Sequence, residues 1–340
     1  MEVMMKRTQD YMRFSLVKEM AETPEVIRRF PVDEVREEFS LVGERGRLLL
    51  TGEGSSRIFP AGNVRASLLR EGSPVRVEVE GAMQAREYTL DGWGVFVASN
   101  SGKTAEGVRL LASLREKARD VVVGAVVGRK DSPIGRGADA VYELRCGPEE
   151  AVAATKSVVE QAFFYDVVLR GEKAAARRDE LAALIEEVFW MDLPEELVRP
   201  LVGAPVLYFA GRNNGVAEEL TLKTNEITRK KSDYLEGTYA VHGIEEVMSP
   251  EEVVVLIDPF EEEEDKFASV LEEGVGVKVL AIAHRETRFP TILLPQVEQG
   301  CAPYLQLVAG WNLLVEVGVR SGIHLDKPQR ARKVGNEFVG

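Results

Sequence analysis

From residue 45 onward the chain is written as short β-rich runs separated by helix-like segments. One set reads RLLLTG, VRVEVE, GVFVAS, DVVVGAVV and AVYELR; a second, from residue 205, reads PVLYFAG, SDYLEG, EVVVLIDP, VKVLAIA and TILLP. The alternation of these β-rich runs with helical stretches is the pattern of a parallel sheet with helices on both faces. Two sets of five runs predict an α/β protein with two five-stranded parallel sheets. They also predict an internal duplication of fold, although residue identity between the halves is slight.

The flanking segments complete the layout. Residues 8–40 carry helical periodicity with interleaved charges, and Pro24 and Pro31 each stand where a helix can begin, so residues 1–44 are read as an N-terminal helical arm. Residues 45–191 form the first domain. Its last part, 149–191, is almost continuously helical, with AAARRDELAALIEEV as connector. Residues 192–325 form the second domain, ending in the apolar helix YLQLVAGWNLLVEVGV. Residues 326–340 are a polar tail carrying Lys333, a segment that would ordinarily be a frayed end.

Composition removes several functions. The 43 Lys+Arg against 56 Asp+Glu give a net charge of −13, which disfavours nucleic acid and leaves an anionic substrate needing a local positive or amide-lined pocket. Two cysteines, Cys146 and Cys301, make no disulfide framework and lack metal-type spacing, and the three histidines, His242, His284 and His324, include no pair at ligand spacing. No metal site or cofactor is expected. The start MEVMMKRTQDYMRF lacks the apolar core of a secretory signal, and no run approaches a membrane span, so a soluble, cytoplasmic protein is expected.

One helix conflicts with its own pattern. In VAEELTLKTNEITRKK, Val216, Leu220 and Ile227 form an apolar stripe opposite Glu218, Thr221, Asn225, Thr228 and Arg229. Lys223 falls inside the stripe, with Glu219 and Glu226 along its edge. Charges facing inward are costly unless paired or used, so the three are either ordinary i,i+4 and i,i+3 ion pairs or part of a site.

Two turns join a strand to a helix through Gly, Ser and Thr: TGEGSSRIFPAG and ASNSGKTAEGVRLL. Such turns lie at the carboxyl edge of a parallel sheet, where ligands bind. A P-loop ending at Gly102, Lys103 and Thr104 would need glycine at 97, where Val97 stands. A dinucleotide fingerprint starting at Gly52 and Gly54 would need a small residue at 57, where Arg57 stands. What remains is a hydroxyl-rich turn, Ser99-Asn100-Ser101-Gly102-Lys103-Thr104, suited to a phosphate monoester; the alternative is a cluster in which Ser or Thr caps its helix.

These residues resemble the sugar isomerase (SIS) superfamily, and within it the isomerase half of glucosamine-6-phosphate synthase and stand-alone deaminase-like relatives. The resemblance is carried by KEMAETPEVIRR, EGSS at 53–56, SNSGKTAEG, PEEAVAATKSVVEQ, KTNEI, His242-Gly243 and the tail PQRARK, in order from about residue 18 to 335. It implies two SIS domains, each doubly wound and flavodoxin-like. It also implies a sugar-phosphate pocket in which Ser56, Ser99, Asn100, Ser101 and Thr104 hold the phosphate of a hexose 6-phosphate. By the same resemblance Glu226 is the base moving a proton between C1 and C2, and His242 assists ring opening. Glu219 and Lys223 position and charge-balance the site, Lys333 faces the sugar carbonyl, and Val152 and Ala154 lie against the sugar. The chemistry agrees, since aldose–ketose interconversion needs one carboxylate shuttling a proton between adjacent carbons plus an acid and base for ring opening.

The chain departs from the family at sugar-facing and gating positions. Ala154 replaces a serine, Ile244 a proline, and Thr238 an acidic residue. No glutaminase domain precedes MEVMMK, so the expected activity is isomerisation or deamination of glucosamine 6-phosphate to or from fructose 6-phosphate, without metal or nucleotide; a separate glutaminase subunit is the alternative ammonia source. The other enzyme readings are a fructosamine-6-phosphate deglycase and a simple phosphosugar isomerase, and outside enzymes a non-catalytic sugar-phosphate-binding regulator. The resemblance further implies a homodimer in which the His242 loop reaches the partner's site.

Overall fold

The computed structural model describes residues 10–332 and 335–338. They divide into two compact units. One holds residues 22–149, 154–182 and the described residues from 330 on; the other holds the described residues up to 21, together with 150–153 and 183–329.

In the first unit the five expected runs are five parallel strands: β1 Arg47–Gly52, β2 Arg76–Gly81, β3 Gly94–Ser99, β4 Val122–Val127 and β5 Ala140–Glu143. Their order is β2-β1-β3-β4-β5. Every residue of β3 is buried, as a central strand between two helical layers requires. Leu49, Val95, Val97, Val123 and Ala125 pack on Leu110 and Leu114 of the helix Ala105–Lys117. The order reverses between β1 and β3, so a crevice opens at their carboxyl ends, the place where open α/β sheets bind ligands.

The second unit repeats the plan with β6 Val206–Gly211, β7 Lys231–Glu236, β8 Val253–Ile257, β9 Lys278–Ala283 and β10 Thr291–Leu293. Its order is β10-β9-β8-β6-β7, which is the first sheet's order counted from its own first strand. The helix Val216–Ile227 leaves the carboxyl end of β6, at this sheet's reversal point. Beneath it runs Ala302–Arg320, buried from Pro303 to Gly318.

Two local expectations are corrected. Residues 149–155 are not helical: the Glu149 carboxylate accepts the N–H groups of Thr155 (2.8 Å) and Ser157 (3.4 Å), and the helix begins only at Lys156. A side chain that captures the free amides of a helix start fixes where the helix starts. Pro24, read as a helix start, lies inside the helix Ser15–Arg28, whereas Pro31 does precede the helix Val32–Glu38. One lost backbone bond at Pro24 is tolerated where the flanking turns are anchored by packing at Met20 and Ile27.

The helices Val216–Ile227 and Ala302–Arg320 of the second unit approach closely at a glycine. A Cβ on Gly310 would stand 2.4 Å from both Leu220 methyl carbons. Gly310→Val is therefore expected to cost about 1–3 kcal/mol through overpacking, read as a lower urea midpoint at unchanged slope.

Candidate functional site

In the first unit the two turns leave adjacent strands side by side, because Gly52 of β1 is in register with Ala98 of β3. The contact is tight: a Cβ on Gly52 would meet the Ala98 carbonyl oxygen at 2.7 Å. Ser56 lies in the first turn, its Oγ 3.5 Å from the Gln161 amide nitrogen. The second turn is a hydroxyl cluster. Ser99 Oγ shares a 2.7 Å hydrogen bond with Thr104 Oγ1 and accepts the Gly102 N–H at 3.1 Å, while Ser101 Oγ accepts the Lys103 N–H at 3.2 Å. Thr104 is the N-cap residue of the helix Ala105–Lys117 but makes no side-chain cap bond. The hydroxyls thus face one another across the turn, and simple helix capping does not account for them.

Asn100 is oriented by a residue that sequence reading did not single out. Its side-chain amide donates to Glu149 Oε2 at 2.9 Å, and the same oxygen accepts the Ser157 hydroxyl at 2.6 Å. Glu149 is buried and so joins the hydroxyl-rich turn to the segment holding Ala154, which is part-buried. Its signal was present in the sequence as an acidic residue just ahead of Ser and Thr at a helix start.

The tail also reaches this turn. The Ala105 N–H donates to the Asn336 carbonyl (3.0 Å), the Phe338 N–H donates to the Lys103 carbonyl (2.8 Å), and the Lys103 ammonium pairs with Glu337 at 2.9 Å. Lys333, the tail residue of the sequence expectation, lies outside the described residues.

In the second unit the helix Val216–Ile227 brings Glu219, Lys223 and Glu226 together. Lys223 Nζ is 2.8 Å from Glu226 and 3.2 Å from Glu219. The Glu219 and Lys223 side chains are fully buried, whereas Glu226 retains 21% exposure. Burial would push the Lys223 ammonium down, but Glu226 and then Glu219 outweigh it and hold its pKa above the ordinary lysine range. Lys223 is therefore a fixed cation, and the triplet presents a single carboxylate, Glu226, at the surface.

His242 belongs to a separate loop. It is exposed at the end of the turn Tyr239–Val241, its backbone N–H bonded to the Tyr239 carbonyl, and Tyr239 and Val247 of the same loop are also exposed. Val152, part-buried, sits in a segment whose Ala151 N–H donates to Glu19 at 3.2 Å. No group of three or more metal-ligating side chains occurs among the described residues, and no described helix is long and apolar enough to cross a membrane.

The structure thus holds two parallel sheets of identical strand order, one with a hydroxyl-lined turn and one with a buried Lys-carboxylate triplet. Residues 40–170 match the family model of the SIS domain. It is similar to the isomerizing glutamine–fructose-6-phosphate aminotransferase of Rhizobium meliloti, at 28% identity over 287 residues, covering 76% of this chain and 47% of that protein. The chain thus spans about half the length of the curated relatives it matches. The C-terminal domain of glucosamine-fructose-6-phosphate aminotransferase from Francisella tularensis shares the fold with a TM-score of 0.74 at 19% identity, over 92% of this chain and 98% of that one. Glucosamine-6-phosphate deaminase from Thermotoga maritima does so with a TM-score of 0.70 at 19% identity, over 94% and 99%.

Two variants test these groups. Gly102 holds φ +63°, and a Cβ there would lie 2.1 Å from Ser132 Oγ, so Gly102→Ala is expected to destabilise the protein by about 1–3 kcal/mol in denaturant unfolding. Lys223→Met removes the cation between two carboxylates and is expected to cost about 3–5 kcal/mol. The sign follows from a folded pKa raised above the unfolded one: the stabilisation is complete below the ordinary lysine pKa and fades only as pH rises through the folded value. The deficit of Lys223→Met in urea unfolding should therefore stay constant across the neutral range.

Proposed function

We propose that the protein interconverts an aldose and a ketose 6-phosphate, acting on glucosamine 6-phosphate with formation of fructose 6-phosphate and release of ammonia. The observation that carries this reading is the triplet on the helix Val216–Ile227: two charges sealed in the interior support one carboxylate, Glu226, that solvent and substrate can reach. Its carboxylate lies 2.8 Å from the Lys223 ammonium, which holds it in place for the proton transfer a general base performs.

In the proposed sequence His242 assists opening of the sugar ring. Glu226 takes the proton from C2 of the open aldose and returns it to C1, while one amine proton passes to the C1 oxygen, so that the C1 aldehyde becomes a hydroxymethyl group and the C2 amine an imine. Water adds at C2, the carbon–nitrogen bond breaks, and ammonia leaves, so that glucosamine 6-phosphate and water become fructose 6-phosphate and ammonia. Ser56, Ser99, Asn100, Ser101 and Thr104 hold the phosphate, Val152 and Ala154 contact the sugar, and Lys333 faces the carbonyl. Likeness to the Thermotoga deaminase and the Francisella aminotransferase domain supports this substrate class. The protein acts as a homodimer; the exposed His242 loop, with Tyr239 and Val247 beside it, supports its delivery to a second copy.

Purified protein incubated with glucosamine 6-phosphate should produce ammonia and fructose 6-phosphate together. Glu226→Gln should lower turnover by at least about 100-fold, the contribution of general base catalysis, while leaving sugar-phosphate affinity within a few-fold of the parent. Turnover unchanged by that substitution would remove Glu226 from its role. Activity on fructosamine 6-phosphate alone would replace the deaminase with a deglycase.

A further inference from the structure

A sugar phosphate brings about two negative charges to a protein that already carries −13, and hydroxyls and amides alone leave that charge uncompensated. The turns 52–57 and 99–104 supply two cations, Arg57 and Lys103. Lys103 is engaged, its ammonium paired with Glu337 of the tail at 2.9 Å. Arg57 is different. It follows Ser56 directly and is the N-cap residue of the helix Ile58–Arg70. Its side chain has no hydrogen-bond or ion-pair partner among the described residues, and its Nε is buried and bare.

The nearby carboxylate does not take it up. Glu53 Oε1 accepts the Ala82 N–H at 3.0 Å. Burial raises the Glu53 pKa, and the charges of Glu106 and Glu80 add to that rise, while the Arg57 charge only partly opposes it. A part-buried guanidinium with a desolvated, unsatisfied N–H is costly unless an anion completes it. Its planar fork suits two phosphate oxygens at once, as a hydroxyl cannot. The close approach of Gly52 to Ala98 keeps the turn bearing Arg57 against the strand that runs into Ser99.

We infer that Arg57 is the charge-bearing ligand of the substrate's phosphate, the residue that makes the pocket select a phosphorylated sugar over a neutral one. The inference rests on the sugar-phosphate reading above and assigns a group that the hydroxyl turn does not provide. It also explains why an arginine occupies the position that excluded a dinucleotide fingerprint.

The test is calorimetric titration of the full chain with fructose 6-phosphate and, separately, inorganic phosphate, using the parent protein, Arg57→Met, Arg57→Lys and Ser101→Ala. Arg57→Met keeps the apolar stem and should weaken both ligands by the same factor, about 10-fold or more, as loss of a charge-assisted bond implies. Arg57→Lys should recover part of that loss, and the salt dependence of affinity should be shallower for Arg57→Met than for the parent. Far-UV circular dichroism and unfolding midpoints matching the parent establish that the fold is intact; should Arg57→Met not fold, Arg57→Lys and the salt dependence carry the comparison. Parent-like affinity in Arg57→Met, with Ser101→Ala weakened, overturns the role of Arg57 alone. A parent protein that binds neither ligand overturns the sugar-phosphate reading itself.

Discussion

Both sheets hinge on a glycine that ends their first strand. A Cβ on Gly52 would press on the Ala98 carbonyl oxygen at 2.7 Å, and one on Gly211, at φ +117°, on that of Ile257 at 2.3 Å. In each case the crowded partner is the strand across the point where strand order reverses. Two neighbouring backbones can diverge into ligand-binding turns there only if nothing fills the space between them. The halves share this device and use it differently: the first delivers hydroxyls, the second a helix carrying fixed charges.

The fixed charges set the energetics of the second half. An ammonium sealed from water is unfavourable by itself, and two carboxylates beside it reverse the balance. Only Glu226 keeps contact with solvent, so the burial that makes the triplet rigid also selects which carboxylate solvent can reach. Glu149 has the corresponding part in the first half, where one buried carboxylate fixes a helix start and the Asn100 amide together.

How much of this the sequence carries depends on how local each cause is. The central strands are legible because a strand covered on both faces must be apolar throughout, as Val253–Ile257 is, whereas the edge strands Arg76–Gly81 and Lys231–Glu236 carry polar residues and are legible from their place in the alternation of β-rich and helical runs. The triplet is legible too, since charges inside an apolar stripe violate the pattern at Lys223. The non-helical stretch before Lys156 is hidden because its residues have helical propensity, and one side chain, Glu149, overrides them. Arg57 is hidden for another reason: an arginine in a polar turn is unremarkable until its lack of a partner is seen. The pairing of residues 336–338 with Lys103 to Ala105 joins positions more than 200 apart, and no local signal can announce it.

That pairing has a practical side. The Phe338 N–H and the Asn336 carbonyl are tied to the backbone on either side of Thr104, so the hydroxyl-rich turn is completed by chain made more than 200 residues after it. The turn cannot reach its final geometry until synthesis has reached residues 336–338.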